Sequence, residues 1–206
     1  MSKKTPLIVA ILLIFFTGCT TSNHELQIHD FVAFRAGEVR AFESTQPHGD
    51  HSIVNLGVEG NRALEKTYSA IGNFMSVLEN SDGQLRLIYT TLGLSGMEED
   101  LSLIEPMMNI VILAEPLQVG NSWSSPIGVS TITYLWEHFE TEEGVFQDVL
   151  EVTTEDVEGY HVVSYFARGI GLIKEVFSTY LTHLENGEAY GRDYLGSHVV
   201  TRVNVN

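Results

Sequence analysis

The chain has 206 residues, of which 44% are hydrophobic and 18% charged; this is enough apolar material for one core and too short a chain for several ordinary domains. Its 27 acidic and 11 basic residues give a formal charge of -16, which argues against nucleic acid as a partner and favours a soluble, self-repelling monomer. The single cysteine, Cys19, excludes an internal disulfide and a cysteine zinc site.

The start of the chain has the organisation of an export signal. Two lysines precede a ten-residue apolar run at residues 7–16, and the small residues Thr17 and Gly18 follow it. As a helix the run would be about 15 Å long, half of a ~30 Å hydrocarbon core, so it is too short for a permanent membrane span. Removal of residues 1–18 would leave nine basic and 27 acidic residues, a formal charge of -18, on a mature chain that begins at Cys19.

The sequence FTGC at residues 16–19 resembles the bacterial lipobox. In that family the cysteine receives diacylglycerol before cleavage and often an amide-linked fatty acid such as palmitate afterwards; Phe16 stands where Leu, Ile or Val is usual. The resemblance implies that Cys19 is the lipid attachment site, and two or three acyl chains at ~0.8 kcal/mol per buried CH₂ hold a soluble domain on a membrane. We therefore predict a lipid-anchored protein on the extracytoplasmic side of the cell membrane, with residues 19–28 as lipidated N-terminus and polar tether and residues 29–206 as one β-rich domain.

Beyond the tether, short apolar runs separated by Gly, Asn and Asp are typical of strands. Residues 74–78 and 84–89 flank an Asp82-Gly83 pair, which supplies the positive φ angles of a tight hairpin, and a second hairpin is predicted around residues 185–188. Further strands are predicted at residues 131–136, 146–153, 161–167 and 172–180.

Helix is the minority state. The best helical candidate is residues 98–108, where acidic residues suit the N-terminus and Pro106 limits the length. The predicted fold is mainly β: a single antiparallel, strongly curved sheet, or an open-barrel or sandwich-like domain, with little helix.

Two segments share a spacing that leads into a predicted strand. Phe34 stands three residues before Gly37, and Leu117 stands three residues before Gly120. Spacing alone leaves two interpretations open, an internal repeat or two unrelated turns.

Three segments are similar, together and in this order, to a group of uncharacterised exported bacterial proteins and lipoproteins: EPLQVGNSW at residues 115–123, VFQDVLEV at 145–152 and SYFARGIGLIK at 164–174. They resemble the P-L-x-x-G-x-x-W, F-x-x-V-x-E-V and Y-Y-A-x-G-x-G-L-V-K motifs of that group, over roughly residues 30–180. Ala33, Glu38 and Arg40 stand where the group usually has Pro, Asn and Trp. The resemblance implies the fold and the exported location, and no activity.

The strongest metal motif is His48-Gly49-Asp50-His51. Imidazole and carboxylate suit zinc, copper or nickel, which makes His48, Asp50 and His51 candidate ligands. We favour the alternative, a solvated turn for which Gly49 and the preceding Pro47 are ordinary residues, and we expect no cofactor.

Other chemical motifs favour structural interpretations. Gly169-Ile170-Gly171 lacks the following helix of a phosphate loop and suits a hairpin turn. The acidic runs at residues 98–100, 140–143 and 155–158 do not follow a calcium-binding loop, and the serines lack a G-x-S-x-G context.

The remaining route to function is the concave face of the curved sheet. If aromatic side chains line this face and no helix covers it, it forms an apolar groove. The preferred hypothesis is a non-catalytic binding or interaction module whose small-molecule or protein ligand the sequence does not identify. A metal-binding lipoprotein using His48, Asp50 and His51 is the alternative, and a hydrolase ranks third.

Overall fold

The structure is a computed structural model that describes residues 25–32, 34–47, 49–93, 100–155, 160–185 and 188–203. The described chain is mainly β and forms one antiparallel sheet that is nearly closed and barrel-like, which confirms the predicted fold class. Two elements in the described residues are helical: a one-turn helix α1 (Ile28–Phe31) and a 3₁₀ turn (Leu101–Leu103). None of the described helices has the length and hydrophobicity that crossing a bilayer requires.

The sheet is built from two meanders of six strands, which we call the first half and the second half. The first half comprises β1 (Val39–Ser44), β2 (His51–Glu59), β3 (Arg62–Ser69), β4 (Gly72–Ser81), β5 (Gln84–Leu92) and β6 (Ile110–Ala114). The second half comprises β7 (Ser122–Ser125), β8 (Gly128–Thr141), β9 (Gly144–Glu155), β10 (Tyr160–Ala167), β11 (Gly171–Glu185) and β12 (Glu188–Val203). β1 pairs with β12, so the sheet runs from β6 through β1 and β12 to β7.

The hairpins predicted from turn chemistry are confirmed. Asp82 and Gly83 join β4 to β5 with φ angles of 53° and 67°. β11 and β12 pair from Glu185 and Glu188 inward, around the second predicted turn. The four further strands predicted in the second half lie within β8, β9, β10 and β11.

The predicted helix at residues 98–108 is wrong for the part that the structure describes. Residues 94–99 lie outside the described chain; after them come the 3₁₀ turn and then β6. Arg62 on β3 donates from Nη1 to the carbonyl oxygens of Leu101 and Ile104, at 2.8 and 2.9 Å. Leu101 and Ile104 are buried with Val77 and Ile88. The segment therefore packs on the sheet as a single 3₁₀ turn in place of the predicted helix.

The two segments with shared spacing are equivalent turns. Gly37 and Gly120 have φ angles of 82° and 90°, and their amides donate to Asn55 and Ile132, at 2.7 and 2.8 Å. In each segment the carbonyl oxygen of the residue after the glycine accepts a hydrogen bond from the amide of that same partner, Asn55 in the first and Ile132 in the second, at 2.9 Å in both cases. The shared spacing therefore marks the start of a structural repeat.

The repeat continues into the irregularities of the strands. A bulge follows Asn55 in β2, and one follows Ile132 in β8. Later in each half the register shifts again, so that Ile88 in β5 and Ile173 in β11 are the extra residues. Because these bulges fall at equivalent places, the strand registers assign each residue of one half a matched position in the other.

One end of the barrel is filled by α1. Ile28 and Phe31 are 1% and 0% exposed, and they pack with Leu85, Leu150 and Phe166 from both halves. The helix is tied to the turns around it: the Ile28 amide donates to Glu115 Oε1 at 2.9 Å, and the Gly169 amide donates to the carbonyl of Asp30 at 2.6 Å. The predicted tether, residues 19–28, thus ends in residues that belong to the core.

The outer face of the second half is covered by its own hairpin. Trp136, Phe139 and Phe146, from the tip of the β8–β9 hairpin, pack over Val149, Ala167 and Ile173. The Phe139 ring stacks on Tyr165 of β10 with 4.5 Å between centroids, although β9 separates their strands. The long hairpin therefore bends over the outer face of the sheet, and its aromatic side chains do not fill the inner face.

Candidate ligand-binding cavity

A cavity of about 390 Å³ lies inside the barrel, between the inner faces of the two halves. Its volume is within the range of small-molecule sites, roughly 300–1,000 Å³. Most of the wall is aliphatic, and Ile127, which is 43% exposed in the β7–β8 turn, lies on its rim. The apolar lining includes Ile53, Leu78, Leu85, Ile110, Ile112, Val152, Val162, Phe166, Leu172 and Phe177.

The interior is hollow because short side chains occupy the inner face of β8, β9 and β10. Ser130 hydrogen-bonds Thr154 across the strands at 2.8 Å, and Val162 and Ser164 continue this surface on β10. These side chains are small, whereas at the filled end larger side chains pack with α1. The cavity is therefore a consequence of residue size along three neighbouring strands.

A buried ion pair forms part of the wall in the first half. Arg40 on β1 contacts the Glu65 carboxylate on β3 through Nη2, and their side chains are 14% and 10% exposed. Burial raises the pKa of Glu65, and the Arg40 guanidinium opposes that increase. Arg40 Nε is buried and has no hydrogen-bond acceptor among the described residues.

A second carboxyl group, that of Glu175 on β11, faces the cavity in the second half. The hydroxyl of Ser164 donates to its Oε1 at 2.9 Å, and within the described chain this is its only hydrogen bond. Burial raises the pKa of Glu175, while the Ser164 hydrogen bond and the charge of His51 oppose the increase. The residue is only partly covered because its carboxyl group borders the cavity.

The structure describes two of the three candidate metal ligands. Asp50 accepts a hydrogen bond from the Ser44 amide at 2.8 Å, and His51 stacks on Phe42 with its Nδ1 3.1 Å from the Gly49 carbonyl oxygen. These contacts are those of a structured turn.

The third candidate ligand, His48, and the lipid site, Cys19, lie outside the described residues. The described side chains contain no group of three or more His, Cys, Asp or Glu arranged for a metal. The metal hypothesis and the lipidation of Cys19 stay predictions.

The condition for an aromatic groove is met only in part. Phe166 and Phe177 line the cavity, but the rest of its hydrophobic wall is aliphatic. Trp136, Phe139 and Tyr165 pack on the outer face instead, under the bent hairpin.

Sequence reasoning missed Glu175 because a bulge changes the alternation of its strand. Counting from Leu172, which faces inward, a regular strand would place Lys174 inside and Glu175 outside. The extra residue Ile173 reverses that order, and Lys174 instead lies near the outer rings of Phe139 and Tyr165. No signal in a single sequence marks such a bulge.

Comparison of the chain with protein-family models, curated proteins and solved structures finds no match. The resemblance to exported bacterial proteins therefore stays a prediction.

Proposed function

We propose that this protein is an exported, lipid-anchored binding protein that holds a small, mostly apolar molecule inside its barrel. The observation that carries the proposal is the cavity, which combines an aliphatic wall with a few polar groups. That combination is characteristic of sites that bury a ligand and orient it by a small number of polar contacts.

A purely structural role does not account for a space of this size. Protein interiors are close-packed, and voids larger than a water molecule are few because empty volume costs stability. The same barrel is densely packed around α1, so the fold can fill its interior. The exposed Ile127 at the rim supports a route by which a ligand reaches the cavity.

The anchor is supported by the lipobox-like residues 16–19. Mass spectrometry of the mature N-terminus tests it, with a diacylglyceryl group on Cys19 as the expected result. A free thiol in membrane-extracted protein, or a C19S variant that is processed normally and stays membrane-bound, would contradict the proposal.

Ligand binding is tested with N-phenyl-1-naphthylamine, a neutral apolar dye that fluoresces when it leaves water. We expect the purified protein to bind the dye and V162F to lose most of this binding, because the larger ring projects into the cavity. V163F is the control, since Val163 pairs with Thr153 and Val176 on the opposite face of β10. Equal binding by both variants would place the dye elsewhere and refute the cavity as the site.

A further inference from the structure

We infer that the ligand carries a positively charged nitrogen and that Glu175 is the residue that selects it. This inference rests on the proposed function and adds the chemical class of the ligand: a small apolar amine, protonated at neutral pH.

The surroundings of Glu175 give its negative charge no salt-bridge partner: His51 acts on it only electrostatically, without a hydrogen bond or ion pair between the two side chains. Ser164 supplies one neutral hydrogen bond, and in the described chain the carboxylate forms no salt bridge. Burying an ionised carboxylate without a cation is costly, and a charge-assisted hydrogen bond is roughly twice as strong as a neutral one. An ammonium group in the cavity would supply both the missing charge and the hydrogen-bond donors.

The positively charged side chain in the cavity wall, that of Arg40, already has a salt-bridge partner. Arg40 contacts Glu65, so this pair is close to neutral, and Glu175 is the charged group of the cavity wall that lacks a salt-bridge partner there. A ligand with a carboxylate would bring a second negative charge into the same enclosure. Electrostatic attraction and repulsion are both stronger there than in water because the local dielectric constant is low.

The first half shows that the fold does not need a carboxylate at this place. Glu175 pairs with Ser164 across β10 and β11, and the matched pair in β4 and β5 is Ser76 with Thr90. The Ser76 and Thr90 hydroxyls hydrogen-bond at 3.1 Å, so a neutral residue satisfies the same serine. The repeated framework therefore does not require Glu175. Of the two matched positions, 90 and 175, only position 175 borders the cavity.

The experiment compares three probes of equal chain length: octylamine, octan-1-ol and octanoate. Each is measured by displacement of N-phenyl-1-naphthylamine and, independently, by the rise in melting temperature that a ligand of the folded state produces. We expect octylamine to bind about tenfold more tightly than octan-1-ol, as one charge-assisted hydrogen bond would give, and octanoate to bind most weakly.

Two variants and one control assign the preference to Glu175. E175T copies the residue at the matched position, and E175Q keeps the shape without the charge; both should bind the amine and the alcohol equally. E105Q removes an exposed carboxylate and should keep the preference, which controls for attraction of amines to an acidic protein.

The outcomes separate this inference from the proposed function. Dye binding with no preference for the amine, or a preference that survives E175Q, overturns the role of Glu175 and leaves the binding function intact. Tightest binding of octanoate also overturns it and points to Arg40. If neither the dye nor any octyl probe binds or raises the melting temperature, both proposals are wrong.

Discussion

The two halves of the barrel repeat one framework and differ in the polar residues placed on it. Both begin with a glycine turn, and both have bulges at equivalent places. At matched positions, however, the first half has Arg40 and Glu65 where the second has Trp123 and Val152. The framework thus accepts either an ion pair or an apolar pair, so the charges that face the cavity are not requirements of the fold.

The two halves meet at two junctions that are built differently, one between β1 and β12 in the middle of the sheet and one between its two end strands, β6 and β7. β1 and β12 are joined by a ladder from Ala41–Val203 to Ser44–Val200. β6 and β7 end the sheet, and there the Trp123 indole donates to the Val111 carbonyl at 3.0 Å. The β1–β12 junction is a backbone ladder, whereas at the β6–β7 junction the side chains of Trp123 and Asn121 donate to backbone carbonyls of β6, so side-chain substitutions should affect the second junction more.

The largest effect is expected from breaking the buried ion pair. E65V places the second-half residue in the first half and leaves Arg40 buried without its anion, which should cost about 3–5 kcal/mol of unfolding free energy. The double variant R40W/E65V copies both matched residues and should recover most of that loss. Urea unfolding of the wild type, R40W, E65V and the double variant measures the coupling between the two positions. If the effects of R40W and E65V simply add in the double variant, the matched assignment is refuted.

Alanine substitution should destabilise the two glycine turns equally. Gly37 and Gly120 both have positive φ, and an added Cβ would meet nothing within 4 Å at either position. Alanine at each should therefore cost about 1–2 kcal/mol through backbone strain alone. Unfolding midpoints of G37A and G120A provide the test, and a large difference between them would show that the two turns are not equivalent.

A pH-dependent difference should separate Glu175 from its matched residue, Thr90. Burial raises the pKa of Glu175 in the folded state above its ordinary value of 4.5, so the folded protein loses stability as pH rises from that value through the raised pKa. E175Q does not titrate at this position and avoids that loss. Its stability relative to wild type should therefore increase between pH 5 and pH 8, which urea unfolding at both pH values measures.

The control for this pH experiment is E105Q, whose stability relative to wild type should be the same at both pH values because Glu105 is exposed on the surface. If the stability difference between E175Q and wild type were also the same at both pH values, burial would not raise the pKa of Glu175.

The smallest effect is expected at the β6–β7 join. W123F keeps an aromatic ring on the core and loses the indole hydrogen bond to Val111, which should cost about 1 kcal/mol. Melting of W123F and W123A separates the hydrogen bond from the packing. A loss in W123F as large as in W123A would mean that the join depends on the hydrogen bond rather than on burial.

The sequence predicts features whose cause is local. Asp82 and Gly83 specify their turn by their own backbone preferences, and apolar spacing locates the strands of the second half. The segment containing Leu101 and Ile104 departs from its predicted helix because its carbonyl groups bond Arg62, a residue about 40 positions away. Long-range contacts of this kind leave no local pattern.

The candidate site is less predictable than the fold, for the same reason. Arg40 and Glu65 meet because the registers of β1, β2 and β3 bring them together across 25 positions of sequence. Glu175 faces inward because of one extra residue in β11. Both depend on strand register, which is set by the whole sheet rather than by neighbouring residues.

The pairing of the first strand with the last leads us to expect a particular order of folding. Hairpins such as β4–β5 close over short loops, whereas the ladder between β1 and β12 needs Val203 to pair with Ala41. Contacts so distant in sequence form late, because the entropy of closing a long loop is lost before the contact stabilises anything. While the chain is being made, β1 has no β12 to pair with, so we expect this ladder to form after the local hairpins.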